Sequence, residues 1–369
     1  MEKVKVMMKL YQFLFFITLL SFPLFYACES EDGIDDEITN KYQNGVFIVN
    51  EGNFSDKDGS VSWYDYDSSK VILKIYEIAN DIPFAGTLQS MAFYGDKGYL
   101  IDNSGRLEIV DEKTFVALNR LNDFDIPRHI TFSGDKAYIT DWGPYGADFS
   151  STESYVAVID LDADTILTKI ETDSRPEGIL LAGGKLYVAN SNSSKLTVIS
   201  PDTDEIEKTI DVPYGPSQLL LDKDGNIWIT CLGEFGGNST LIKINSGSDQ
   251  IETQVELTGD KLNGRLAING GGDQLFMMTE RWSADYTYTE NAVFKIPINF
   301  QGSSIEAVVT GTNFYGLGVD PVNNMLYVAD ANAFSGNGTV IRFDLNGTEI
   351  DDLAVGRGPR DFVFKSTME

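Results

Sequence analysis

"PEGILLAGGKLYVANSNSSKLTVISPDTDEIEKTI", residues 176–210, decides the fold. Four strand-like pieces, GILLA, KLYVAN, KLTVIS and EIEKTI, are separated by Gly-Gly, Asn-Ser-Asn-Ser and Pro-Asp-Thr-Asp. β-Branched and aromatic residues favour the pleated strand, and the residues between them supply tight turns. The stretch therefore predicts a four-stranded antiparallel meander. The unit recurs as LQSMAFYGDKGYLID from Leu88, PRHITFSGDKAYITD from Pro127 and PSQLLLDKDGNIWIT from Pro216. Looser copies start near Gly264 and Gly316. The second strand of each copy carries one aromatic: Phe47, Tyr99, Tyr138, Tyr187, Trp228, Phe276 and Tyr327, at steps of 52, 39, 49, 41, 48 and 51 residues. One such sheet cannot cover both of its faces, so neighbouring sheets pack around an axis, which is the pattern of a β-propeller.

The two ends of the chain complete each other. The first copy, from Val46, lacks an opening strand, and the chain finishes on GPRDFVFKSTME, an opening strand with nothing after it. Joining them removes two open sheet edges. The expected fold is all-β: a seven-bladed β-propeller of four-stranded antiparallel blades, its ring closed by a C-terminal strand that completes the first blade.

The first 27 residues read as a segment to be removed. Lys3, Lys5 and Lys9 precede an apolar run from Leu10 to Phe25, and then Tyr26-Ala27-Cys28. That layout is a secretory signal peptide rather than a membrane-spanning helix, for which the run is short. Ala27-Cys28 resembles a lipobox, so Cys28 is the expected lipidation site. Residues 28–44 hold six acids and one lysine and predict a solvated acidic tether, leaving 45–369 for the propeller. The tether resembles the acidic stretch that follows the lipid cysteine in lipoproteins sent to the outer surface of some Gram-negative bacteria. That implies an outer-membrane, lipid-anchored protein facing the exterior. Cleavage removes a net +2 from a formal charge of −28 and leaves about −30. Such a surface repels phosphate backbones and anionic lipid head groups, so nucleic acid is not an expected partner and the membrane is met through the anchor alone. If Cys28 carries lipid, Cys231 has no disulfide partner and is expected as a small buried residue.

KLYVANSNSSKLTVISPDTDEIEKTI is similar to the YVTN repeat of YncE-like propellers. VFIVNEGNFSDKDGSVSWYDYD looks like the opening blade of secreted, DUF5074-like surface lipoproteins found beside outer-membrane nutrient importers. The resemblance covers residues 46–365. It implies a protein that captures a small ligand, with a corrinoid as candidate because relatives of this group capture cobalamin and pass it to a TonB-dependent transporter. No single cobalamin contact is matched by a residue here.

In a propeller, the loops joining second to third strands share one face with the links between blades. Blades 2 and 4 have only DNSG and NSNSS there. Blade 3 has Trp142, Tyr145 and Phe149, blade 5 has Phe235, and blade 6 has Arg281, Trp282, Tyr286 and Tyr288. Blade 7 has Phe334 and blade 1 has Phe54. A closed fold does not need these rings, since blades 2 and 4 do without them. They either pack on one another as a lid or contact a ligand, and a packed rim can also line a pocket. Beneath them, the residues at the head of each inner strand align as two columns. One reads Gln89, Arg128, Glu177, Ser217, Gly264, Tyr315, Arg360; the next reads Ser90, His129, Gly178, Gln218, Arg265, Gly316, Asp361. Three arginines fall here, and Arg175 lies one residue before its repeat. They are expected either to pair internally with Glu177 and Asp361 or to bind polar ligand groups.

Catalytic signatures are missing: there is no G-x-S-x-G, H-E-x-x-H or P-loop. The one histidine, His129, leaves a lyase or hydrolase with Arg128 and Tyr315 as the enzymatic alternative. YDYDSS (64–69) and DLDADT (160–165) space acids like calcium loops but lack the closing Glu and sit at turns, where Asp stabilises the turn itself. No cofactor or metal is expected. The reading is a non-catalytic binder, with a glycan-binding protein or a protein-docking scaffold as alternatives to corrinoid capture.

Overall fold

The computed structural model describes residues 41–151, 153–283, 288–300, 305 and 307–365. The signal segment, Cys28 and the tether up to residue 40 lie outside the described residues, as does Tyr286. Seven sheets of four antiparallel strands each are present. Blade 1 is built from Pro359–Lys365, Gly45–Asn50, Ser60–Asp65 and Lys70–Ile72, so the C-terminal strand is its innermost. The register pairs Gly45 with Lys365 and Ile48 with Phe362, the closure expected from the incomplete ends. The inner strands of blades 2 to 7 begin at Leu88, Pro127, Pro176, Pro216, Asp260 and Phe314. Each inner strand touches the inner strands of the blades before and after it, and the ring closes from blade 7 through blade 1 to blade 2.

Alternation along each second strand explains why the ring holds. Side chains on a strand point to opposite faces in turn, so one strand feeds two interfaces. In KLYVAN, Leu186 and Val188 enter the core shared with blade 3, whereas Tyr187 and Ala189 enter the core shared with blade 5. Seven apolar clusters result, one per interface. The repeat aromatics from Phe47 to Tyr327 are all essentially fully buried. Each contributes about 1.5–3 kcal/mol of burial free energy.

Away from the aromatic loops, the second strand of a blade is latched to the turn between the third and fourth strands of the next. Lys136 Nζ and the Tyr138 hydroxyl both reach Asp204, at 2.7 Å each. Lys185 and Tyr187 reach Asp249 in the same way, and Lys97 Nζ lies 2.9 Å from Asp164. The acids that resembled calcium loops are spent on one such latch, at Asp164, and on their own turns. Asp160 accepts the amides of Asp162 and Ala163, and Asp65 accepts that of Ser68. Cys231 is buried in the core between blades 4 and 5, and burial pushes its thiol up to about 12.

One element departs from the sequence reading. The outer strand of blade 1 is only three residues long, and a short helix, Ile75–Asn80, follows it. The helix drives Ile75 and Tyr76 into the core between blades 1 and 2, and the Tyr76 hydroxyl donates to Glu108 at 2.9 Å.

Candidate ligand-binding face

The inner strands share one irregularity, and it builds the site. Their pairing to the second strand slips at the head in every blade: between Leu88 and Ser90, Pro127 and Ile130, Pro176 and Ile179, Pro216 and Leu219, Leu262 and Leu266, and Phe314 and Gly316, while in blade 1 Asn50 pairs with Pro359 and Val49 with Asp361. All but one of the residues passed over are members of the two columns read from the sequence, among them Gln89, Arg128, His129, Glu177, Arg265, Tyr315 and Arg360; the exception is Asn263. A bulge re-aims side chains out of the ladder. Groups freed by the slip are satisfied within the blade and across blades: the amides of His129 and Gln218 donate to the hydroxyls of Thr140 and Thr230 on the second strand of their own blades. Ser90 donates to the Arg128 carbonyl, Thr140 to that of Glu177, and the Leu266 amide to the Gln218 side chain.

These bulges floor a cavity of about 340 Å³ lined by Arg128, His129, Trp142, Glu177, Arg265, Tyr315 and Arg360, with Leu232 and Glu51. Arg128 grips Glu177 bidentately, both contacts at 3.0 Å. Burial alone would raise the Glu177 carboxyl, but the Arg128 guanidinium holds it at about 2. Arg360 Nη1 donates to Glu51 at 2.8 Å and to Gln89 at 2.7 Å, and the Tyr315 hydroxyl also donates to Glu51. Burial raises the Glu51 carboxyl too, but Arg360 and Tyr315 outweigh it and keep the group below the usual carboxylate range. The expected internal pairing is thus present for Glu177, while the partner of Arg360 is Glu51, not Asp361. Sequence reading passed over Glu51 because the aligned columns contained only inner strands. The surplus of arginines over acids in those columns is the one trace of it in the sequence.

His129 is a quarter exposed and faces the same cavity. Its Nδ1 lies 3.1 Å from the Glu177 carbonyl, which can only accept, so Nδ1 carries the proton and Nε2 offers a lone pair. Burial lowers the imidazole to about 4, opposed by Glu177 and assisted by the three arginines, so the ring is neutral at pH 7. Arg265 donates Nε to the Tyr315 carbonyl at 2.8 Å and lies 5.2 Å from the Tyr315 ring, while Arg360 lies 5.8 Å from that ring.

The decorated loops stand over this floor. The Trp142 ring has Arg128 4.3 Å and Arg175 5.2 Å from its centroid. Arg175 also lies 5.5 Å from the Tyr145 ring and donates to the Phe149 carbonyl at 2.7 Å, so it pins the blade 3 loop. A cavity of about 580 Å³ between the loops of blades 5 and 6 is lined by Leu232, Phe235, Lys261 and Trp282. A third, of about 210 Å³, is lined by Trp282, Tyr288, Tyr315 and Phe334. Leu232 and Tyr315 each belong to the central cavity and to one neighbour, and Trp282 separates the two neighbours. Trp282 meets Tyr288 edge-on at 5.5 Å, and Phe334 meets Tyr315 edge-on at 5.0 Å. The rim therefore packs on itself and lines pockets at once. Arg281 departs from expectation: it pairs with Asp260 at 2.9 Å and Glu290 at 3.1 Å and lines none of these three cavities.

Fold and face together define a seven-bladed propeller with a polar central cavity under aromatic loops. Residues 44–364 match the family described as a domain of unknown function, DUF5074, and the chain belongs to that family. No curated protein matches the chain. Among solved structures it is similar to a periplasmic gluconolactonase, PpgL, of Pseudomonas aeruginosa, with 15% identity over 87% of this chain and 99% of that one and a TM-score of 0.65. A quinonprotein alcohol dehydrogenase-like protein of Bacteroides thetaiotaomicron aligns at 14% identity over 88% and 78%, also at 0.65. Hydrazine synthase of Kuenenia stuttgartiensis aligns at 16% over 72% and 86%, at 0.60. At these identities the likeness is one of fold.

Proposed function

We propose that the protein captures a small molecule on its aromatic face without transforming it, and presents it to an outer-membrane, TonB-dependent transporter while held at the cell surface by lipid on Cys28. The observation that carries the reading is the convergence of three cavities that share Leu232, Tyr315 and Trp282. Flat apolar walls with a few fixed polar groups suit small-molecule binding, and a floor already held by ion pairs loses little ordering entropy when a ligand arrives. The resemblance of the opening blade to cobalamin-capturing lipoproteins makes a corrinoid the first ligand to test, and a glycan stacking on the rings the second. Calorimetric titration of the purified propeller with cyanocobalamin and with a panel of oligosaccharides tests this. Saturable binding that weakens at least tenfold in Trp282→Ala supports capture. Absence of binding to both panels overturns it.

A competing reading makes the protein a lyase or hydrolase. What favours it is His129, a neutral imidazole with a lone pair facing the cavity. Turnover of any bound molecule, abolished by His129→Ala, would establish that reading in place of capture.

A further inference from the structure

The central cavity holds three guanidinium groups, and they are not equally matched. Arg128 has both contacts of a bidentate pair with Glu177, and Arg360 has Glu51 and Gln89. Arg265 has neither. Its Nε is used by the Tyr315 carbonyl, and no carboxylate oxygen lies within 4.0 Å of it among the described residues. Its two terminal nitrogens meet no acceptor there and keep access to the cavity. The Asp361 carboxyl accepts its own neighbour's amide at 2.9 Å and forms no ion pair among the described residues. Burial raises the Asp361 carboxyl, and Arg265 opposes that rise through space without an Asp361 oxygen coming within 4.0 Å of its nitrogens. The end of a guanidinium presents two parallel N–H donors, spaced for the two oxygens of an oxyanion. Beside it in the same cavity lie the His129 Nε2 lone pair and the apolar surfaces of Trp142 and Leu232.

We infer that the central cavity is an oxyanion subsite, in which Arg265 binds a carboxylate or phosphate group of the ligand while Trp142 and Leu232 take the adjoining apolar part. This rests on the capture reading and adds the chemical class of what is captured. The cavity, about 340 Å³, lies at the small end of ligand pockets. It takes the whole of a small acid or one anionic edge of a larger molecule. A locally cationic pocket in a chain of formal charge −28 also gives the ligand a reason to settle there and nowhere else on the surface.

The test uses benzoate, methyl benzoate and inorganic phosphate as probes of the full propeller, followed by tryptophan fluorescence and calorimetry. Benzoate or phosphate should bind saturably, at least tenfold more tightly than the uncharged ester, and lose at least tenfold in Arg265→Met but not in Arg120→Met, which lies on an outer strand. Binding of benzoate alone assigns a carboxylate site, and of phosphate alone a phosphate site. Should Arg265→Met fail to fold, the unaltered protein decides: affinity for the anions should fall several-fold between 50 mM and 500 mM salt. Equal binding of the ester, or affinity indifferent to both salt and Arg265→Met, overturns the inference. Cyanocobalamin or a glycan that binds equally well to Arg265→Met would overturn the oxyanion subsite while leaving capture standing. Anion binding without either of those ligands would do the reverse.

Discussion

Arg360 Nη1 and Glu51 Oε2 lie 2.8 Å apart although 309 residues separate them in the chain. One stands on the last strand and the other directly follows the first, so the bond joins the two termini of the fold at the wall of the central cavity. The same strand pairing that closes the ring therefore also completes the site.

Glu51→Gln should leave the buried Arg360 uncompensated and lower stability by about 3 kcal/mol, as removal of one partner of a buried pair does. The double variant Glu51→Gln/Arg360→Met should recover much of that loss, since the stranded charge is gone. Urea unfolding of the four proteins checks the cycle, and additive losses would show that the pair does not couple.

Gly316→Ala is expected to cost about 1–3 kcal/mol, because a Cβ there would sit 2.8 Å from the Arg360 carbonyl carbon, a backbone atom that cannot swing aside. The displaced strand carries Arg360, so anion affinity should fall together with the melting temperature. A variant as stable as the parent would contradict the close approach of blades 7 and 1.

His129 links the cavity to pH. Its folded value of about 4 lies below the ordinary 6.5, so the unfolded chain binds the proton first as pH falls. Stability from this group is complete above pH 6.5 and is lost between 6.5 and 4, on the order of 2–3 kcal/mol given the water at its edge. Glu177, held at about 2, contributes a second loss between 4.5 and 2. His129→Gln should flatten the first window only, as read by unfolding at a series of pH values. An imidazole NMR titration should show no protonation above pH 5.

On the opposite face, Asp249 receives Lys185, Lys208 and the Tyr187 hydroxyl. It also adopts a left-handed backbone (φ 58°) that asparagine tolerates. Asp249→Asn should thus leave the turn intact and remove only the charge, at about 1–2 kcal/mol, with ligand affinity unchanged. A change in affinity would show that the two faces communicate.

Much of this was legible in the residues themselves. The period of the second-strand aromatics gave the blade count, and the unfinished ends at Val46 and Pro359 gave the closure, because strand pairing leaves a periodic trace. The mouth residues were legible as columns for the same reason. Glu51 was not, since it lies just outside a strand and belongs to no column. Nor was the isolation of Arg265, which depends on where guanidinium groups point. Helix Ile75–Asn80 escaped notice because six residues are too few to display a helical period. The pairing of Arg281 was not legible because a charge beside aromatics in sequence says nothing of whether acids such as Asp260 and Glu290 will claim it.

The slip at the head of every inner strand has a consequence for how this face can change. Side chains there are released from the ladder, so replacing one alters what the mouth recognises without disturbing a rung of strand pairing. Seven such slips surround a single opening, each on a separately packed sheet. The molecule is in effect a lock whose tumblers can be recut one at a time while its casing stays the same.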